Sequence, residues 1–260
     1  MKFGMPTLVE LDTLEQHAKL ASELSLQFIE INMSFPQYTA GALDIELLNQ
    51  LSERYGVFYT IHADEFLNPF DFNPKVSTSY FDIMRDTISV ARSIGAKIIN
   101  LHLQKGIYVT LPERVILLTD VYEALYLDTV KRFIAMCEEE IADSGIRIAI
   151  ENVDTNAFTV SQLKAIDMFM KSDAFALTLD TGHEFALGFC DAHVYAKYPE
   201  KLLHMHLHDC IGKKPHQALG DGDVNISDKV ALLRGETCLI EVKTVDGLLK
   251  SVEYIKRVKL

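Results

Sequence analysis

LTLDTGHEF, residues 177–185, is an apolar run of strand character that stops on a carboxylate and turns directly into a helix start. An Asp in that position is costly to bury unless it is paired or coordinates something. Six further runs have the same form. They are FIEI (28–31, carrying Glu30), FYTIH (58–62, His62), IINLH (98–102, His102), IAIE (148–151, Glu151), LHMHLH (203–208, with His204, His206 and His208) and CLIE (238–241, Glu241). Each reads as a buried strand with an acid or imidazole at or beside its end. Parallel strands would gather all these side chains at one end of one sheet. That is the arrangement of a divalent-metal site at the mouth of a β/α barrel, and so of an enzyme.

The spacing between the runs sets the topology. Strands are expected at 2–5, 27–31, 57–62, 97–102, 146–151, 175–180, 202–208 and 237–241, with helical periodicity between them. In 81–95 the apolar face is Ile83, Ile88, Val90, Ala91 and Ile94, and Gly95 ends the helix. Helix is also expected over 119–143, through Val121, Leu125, Leu127, Val130, Phe133 and Ile134. A last one covers 245–257, through Leu248, Leu249, Val252 and Ile255. Eight strand–helix units in roughly 250 residues match an α/β (β/α)8 TIM barrel, a single domain spanning residues 1–260. A doubly wound open sheet would carry a glycine-rich first turn, and only Gly4 follows the first strand here.

The composition narrows the partners. The 260 residues are 48% hydrophobic, enough for one large core, and no Pro/Gly/Ser-rich linker divides them. A net charge of −12 disfavours nucleic acid and anionic membranes as partners. The start MKFGMPTLVELD has neither a basic opening nor a long apolar stretch, so no signal peptide is expected, and no apolar run approaches the ~18 residues of a membrane span. Cys137, Cys190, Cys210 and Cys238 form no CxxC pair, which fits a reducing cytoplasm, and Cys210 reads as apolar filler.

Glu151 continues the register of its apolar run, whereas Asn152 and Asp154 suit capping of the next helix. Asp180 and His183 are spaced so that a strand end and the first helical turn face one cavity. Alternation puts His204, His206 and His208 on one strand face, and at least one is expected to be a ligand. Glu241 reads as a ligand in preference to an ion pair with Lys243, which can reach solvent. His62 and His102, on adjacent strands, read as further ligands or substrate contacts, as does His216 in the loop HQALGDGDVN (216–225). For Glu30 an ion pair is as good a reading as catalysis, and His17 and His193 read as surface residues of helices. Mixed carboxylate and imidazole donors suit Mn, Mg, Co or Zn without choosing among them.

In the order His62, His102, Glu151, Asp180–His183, His206, His216, Glu241, the chain resembles the xylose isomerase-like barrel superfamily (AP endonuclease family 2). That superfamily joins sugar isomerases and epimerases to endonuclease IV. The resemblance covers nearly the whole chain and implies Glu151, Asp180, His206 and Glu241 as shared metal ligands. His206 is favoured because the family histidine stands three residues before an Asp, here Asp209, with His208 as the fallback. LDTGHEFALGF (179–189) and IHADEFLNP (61–69) are most similar to endonuclease IV, whose further zinc-binding histidines match His62, His102, His183 and His216. The family Asp two residues before His216 is Lys214 here, so one ligand of a third metal is missing.

The loops depart from a DNA enzyme. Residues 26–53 contain no Lys or Arg, and the loop after His62 carries Asp64, Glu65 and Asp71, with Glu65 standing where endonuclease IV has a tyrosine. The resemblance therefore implies a metal-dependent isomerase or epimerase of a sugar or sugar phosphate. Glu151 and Glu241 would be its acid and base, His62 and His183 would hold hydroxyls, and Lys105, Lys213 and Lys214 would be available to a phosphate. The alternatives are a zinc phosphodiesterase on abasic DNA, with Glu151 bridging two metals, and a lyase or non-enzymatic binding role. The family alone implies a dimer or tetramer.

Overall fold

The computed structural model describes residues 1–260. Its eight parallel strands close into a barrel in sequence order: β1 (Lys2–Pro6), β2 (Phe28–Asn32), β3 (Phe58–His62), β4 (Ile98–His102), β5 (Arg147–Glu151), β6 (Phe175–Asp180), β7 (Leu202–Leu207) and β8 (Thr237–Ile240). β8 pairs back onto β1. Each boundary falls within one residue of the sequence reading. Helices lie between successive strands, and a last one, Val245–Val258, follows β8. No helix is long and apolar enough to cross a membrane. All four cysteines are free.

Alternation along each strand divides the apolar residues into two bodies. Outward-facing residues such as Ile148, Ile150, Leu177, Leu179, Met205 and Leu207 belong to a core of 64 residues shared with the helices. Inside the barrel the apolar plug is small: Ile98, Ala149 and Ala176, with Leu203 against them. Above that plug the interior is polar, with Glu30, Thr60, Asn100, Thr178 and His204 each at most 1% exposed. A barrel interior filled this way is stable only if its polar groups are paired.

Several elements differ from the sequence reading. The helix expected at 81–95 runs over Pro74–Ser93, opened by an Asn73 side-chain cap and Pro74 in its first turn. Ile83 is exposed, and Phe81 and Met84 take its place in the core. The helix expected at 119–143 breaks at Tyr122 into Leu118–Val121 and Glu123–Ile141. Its buried stripe is Tyr126, Val130, Phe133, Met136 and Cys137, while Val121 and Leu125 point outwards. Leu249 in the last helix is likewise exposed. Two loops at the carboxyl ends of the strands fold into antiparallel hairpins, Tyr108–Thr110 with Val115–Leu117 and Asp209–Ile211 with Lys214–Gln217.

His193 is exposed as expected, but His17 is not a surface residue: it is completely buried. Its Nε2 accepts the Leu8 N–H at 2.8 Å, and its Nδ1 donates to the Thr13 carbonyl at 2.7 Å. A single neutral tautomer thus ties the β1 loop to the first helix. Burial holds the imidazole pKa below its usual 6.5, against the two backbone contacts. The unfolded chain therefore binds this proton more readily than the folded one. Its contribution to stability is intact above pH 6.5 and is lost as pH falls through the window down to the lowered folded value. A His17→Leu variant is expected to lose about 1–3 kcal/mol at pH 7.5 through the stranded Leu8 N–H, the Thr13 carbonyl keeping its bond from the His17 N–H. It should also lose less on going to pH 5.5 than the parent does. Urea unfolding at both pH values measures this, and parallel losses in the two proteins would refute it.

Candidate metal centre

The candidate centre is built where β5 to β8 end. Asp180 is both the last residue of β6 and the N-cap of the helix Thr181–Ala186, its Oδ1 accepting the His183 N–H at 2.7 Å. The cap orients the carboxylate so that Asp180 also meets His208 Nε2, at 2.8 Å through Oδ1 and 2.9 Å through Oδ2. Asn152 does not cap a helix; Thr159 does that. The Asn152 side chain instead bonds the Asp180 backbone on both sides, accepting from its N–H at 2.9 Å and donating to its carbonyl at 3.0 Å, while Tyr195 donates to Asn152 at 2.7 Å. The β6 end is thereby fixed before any ligand is considered.

Glu151, Asp180, His206 and Glu241 each bring one donor atom to within 4.8 Å of all the others. His206 Nδ1 lies 2.9 Å from Glu151 Oε1, 3.0 Å from Glu241 Oε2 and 4.0 Å from Asp180 Oδ2. These contacts are close but not aligned as hydrogen bonds: His206 Nδ1, Glu151 Oε1 and Glu241 Oε2 are all buried without a hydrogen-bond partner. Unpaired buried lone pairs aimed at one another are what a cation would satisfy. The residues present therefore fit a divalent ion, with three carboxylate oxygens and one imidazole as the donor set.

The titration pattern agrees with that fit. Burial opposes the charge on Glu151, yet the imidazoles of His206 and His102 hold its carboxyl well below the usual range. Glu241 is also held low, burial being outweighed by Lys243 and His206. Asp180 goes the other way: burial pushes its carboxyl well up against the help from His183, and the charges of Glu241 and Glu151 add to the rise. His206, buried among Glu151, Glu30 and Glu241, binds its proton well above 6.5 despite burial. Protons thus stand in for positive charge that a metal would supply.

The remaining histidines flank this group on two sides. His102 Nε2 is 2.9 Å and His62 Nε2 3.5 Å from Glu151 Oε2, to which Asn100 also donates. These make a second possible donor group, His62, His102 and Glu151. His183, His208 and His216 make a third, with His183 Nε2 3.4 Å from His216 Nε2. Burial lowers the pKa of His216 to about 3 and that of His208 to about 4. His204 lies deeper, bonding Thr237 and Glu30. Glu30 sits in mid-strand, not at the strand end, and Asn32 occupies the end of β2. Cys210 is buried outside all these groups.

A cavity of about 450 Å³ opens beside the centre, with Asn32, His62, Glu65, His216, Glu241 and Lys243 in its wall; of the four centre residues only Glu241 lines it. Lys105, Lys213 and Lys214 do not line it. Lys243 reaches solvent as expected, its side chain 53% exposed, and it also lines the cavity, where its ammonium pairs with Glu241 Oε1 at 2.7 Å and leaves Oε2 for the centre. Asn100, Asn152 and Lys243 are the residues that sequence reasoning missed. Two had a signal: Asn100 shares a strand face with His102, and Lys243 stands two residues after Glu241. Asn152 lies beyond the strand end, where alternation no longer predicts direction.

Known proteins share the family and the fold of this chain. The chain matches the family described as xylose isomerase-like TIM barrel over residues 18–257. It is 23% identical to an uncharacterized protein of Methanocaldococcus jannaschii, over 99% of both chains. Among solved structures it is similar to a D-tagatose 3-epimerase-like protein, with 25% identity and a TM-score of 0.77 over 99% of this chain and 96% of that one. The 3-keto-D-glucoside 4-epimerase of E. coli shares the fold at 13% identity, with a TM-score of 0.75 over 100% and 99% of the two chains. So does a D-allulose 3-epimerase from Methylomonas sp., at 18% identity and a TM-score of 0.72 over 99% and 97%.

Proposed function

The chain belongs to the xylose isomerase-like TIM barrel family, and from that premise we propose that it is a divalent-metal-dependent isomerase or epimerase of a sugar or sugar phosphate. The observation that carries this reading is the convergence of Glu151, Asp180, His206 and Glu241, three of them with orphaned donor atoms, with Glu241 also in the wall of a cavity. The 25% likeness to a D-tagatose 3-epimerase-like protein supports it. A bound Mn, Mg, Co or Zn ion would polarise adjacent carbonyl and hydroxyl oxygens and so acidify the carbon-bound proton between them.

The proton transfers fall to Glu151 and Glu241. They stand on β5 and β8, with two strands between them around the ring. Both carboxyls are held ionised by neighbouring cations, so either can accept the proton. One takes it from carbon; the other, protonated in the previous half-cycle or from solvent, returns one to the opposite face or the neighbouring carbon. His62 lines the cavity and His183 lies between Asp180 and His216, and both would hold substrate hydroxyls. Lys243 fixes one oxygen of Glu241 and leaves the other free.

The histidine groups around Glu151 and His216 favour a second reading, a zinc phosphodiesterase of the endonuclease IV type. Against it stand the acidic cavity wall and the net charge of −12. Deuterium uptake decides between them. Chelator-treated protein is reloaded with each of the four metals and offered a panel of ketoses and ketose phosphates in D2O. Wash-in of deuterium beside the carbonyl is expected with at least one metal. No wash-in with any of them, together with nicking of abasic DNA by the zinc form, would overturn the proposal in favour of the phosphodiesterase.

A further inference from the structure

Behind His206, and in the wall of the same cavity, lies a buried carboxylate that the proposed chemistry does not use. Glu30 is 1% exposed, and its two oxygens have different company. Oε2 accepts from Thr60 Oγ1 at 2.8 Å and meets His204 Nε2 at 3.0 Å. His204 Nδ1 is in turn 2.7 Å from Thr237 Oγ1, so the hydroxyl of Thr237 can donate to Nδ1 while Nε2–H of His204 donates to Glu30. Oε1 is left without a hydrogen bond, 2.9 Å from His206 Nε2, which is also without one.

We infer that Glu30 is a positioning residue for His206: its Oε1, 2.9 Å from Nε2 though not aligned as a hydrogen bond, would accept the Nε2–H of that ring when an ion is bound and so leave the Nδ1 lone pair for the ion among Glu151, Asp180 and Glu241. The inference rests on the metal-centre reading and adds what selects the ring's tautomer and angle. An imidazole is rigid, so fixing Nε2 on Glu30 Oε1 also fixes the direction of Nδ1. Thr60 and the Thr237–His204 pair hold Glu30 in turn, so the chain Thr237–His204–Glu30–His206 runs from β8 through β7 and β2 back to β7. Nothing else lies within reach of His206 Nε2 that could take its proton: the other carboxylates, Glu151, Asp180 and Glu241, approach only Nδ1. A carboxylate behind a metal-bound imidazole also raises its basicity, and loss of such a partner typically costs 10–100-fold in metal affinity.

The test uses the whole protein loaded with zinc, which is diamagnetic. In the ¹⁵N spectrum of the wild type, His206 should carry an exchange-protected proton on Nε2 and none on Nδ1. The Glu30→Gln variant should bind zinc about 10–100-fold more weakly against a competing chelator, and its Nε2–H should exchange faster, with an unchanged circular dichroism spectrum. Thr60→Val, which loosens Glu30 without touching its charge, should shift both readouts the same way by less. Zinc affinity within twofold of wild type in Glu30→Gln, or a wild-type His206 with its proton on Nδ1, would overturn the assignment, and the second result stands even if the variant fails to fold. Zinc bound with wild-type affinity by the Glu151→Gln, Asp180→Asn double variant would instead overturn the metal-centre reading and this inference with it.

Discussion

The Glu151→Gln variant is expected to lose about 10²–10⁴-fold of the deuterium wash-in activity from the missing acid–base group alone, and more where the loss of a charged ligand also empties the centre. The substitution is isosteric, and Asn100 still finds an oxygen to donate to, so the fold should survive with a native circular dichroism spectrum. What changes is the charge seen by the imidazoles. His62 is held at about 9 against the effect of burial, mainly by its contact with Glu151. A raised folded pKa stabilises fully below the unfolded value of 6.5, and the gain is lost as pH rises through 9. In chelator-treated protein, the wild type should therefore lose stability between pH 6.5 and 9, and Glu151→Gln should show a flatter profile. Activity, elemental analysis and pH-dependent melting separate the three effects. Full activity in this variant would sink the assignment of Glu151.

The reading of the fold rested on residues whose environment is strongly constrained. The outward face of each strand packs on the helices and is apolar, so Ile148, Ile150, Leu177 and Leu179 mark their strands even where inward residues such as Thr178 are polar. An acid at the end of such a strand is conspicuous for the same reason, which is why Glu151, Asp180 and Glu241 stand out. Their convergence with His206 follows once the strands are parallel and adjacent. Legibility fails where tertiary context decides. Tyr108–Thr110 and Val115–Leu117 are short, largely exposed strands with no periodic signature, and their pairing depends on the loop closing. Leu125 and Val121 are four residues apart on one helical face, but the buried stripe of Glu123–Ile141 runs through Tyr126, Val130 and Phe133, and Leu125 lies off it. His17 lies on a helix with a polar surface, and nothing local says that the β1 loop folds back to use its ring. Lys243 reaches solvent as its long stem suggests, and what the sequence leaves open is that it pairs with Glu241 at the same time.

Asp209 marked the histidine spacing in the sequence, and the structure shows it serving as a clamp. Its carboxylate accepts four backbone N–H groups: Cys210 at 2.9 Å and Val224 at 2.9 Å on Oδ1, and Gly220 at 3.0 Å and Gly222 at 2.9 Å on Oδ2. The loop it gathers carries His216, whose left-handed backbone (φ of 58°) brings its N–H to His208 Nδ1 at 2.8 Å. Gly222 permits the close approach, since a Cβ there would lie 2.4 Å from the Cys210 carbonyl oxygen. The Asp209→Ala variant strands these donors, three of them held by a single charge from across the loop. Hydrogen bonds to a charged group contribute about 1.5–3 kcal/mol each, but the loop can open to water, so the expected loss is about 3 kcal/mol, not the sum. For a chain of this size that corresponds to a melting point lower by about 6–12 °C. Asp209→Asn keeps one accepting oxygen and should lose about half as much. The loop carries His216 but none of Glu151, Asp180, His206 or Glu241, so Asp209→Ala should still bind one metal ion per chain while becoming sensitive to proteolysis within 212–224. Calorimetry, limited proteolysis and elemental analysis measure the three outcomes. A shift under 2 °C with an uncut loop would mean that Asp209 holds nothing the neighbouring hairpin does not already hold, and a loss of the metal would mean that the loop and the centre form one cooperative unit.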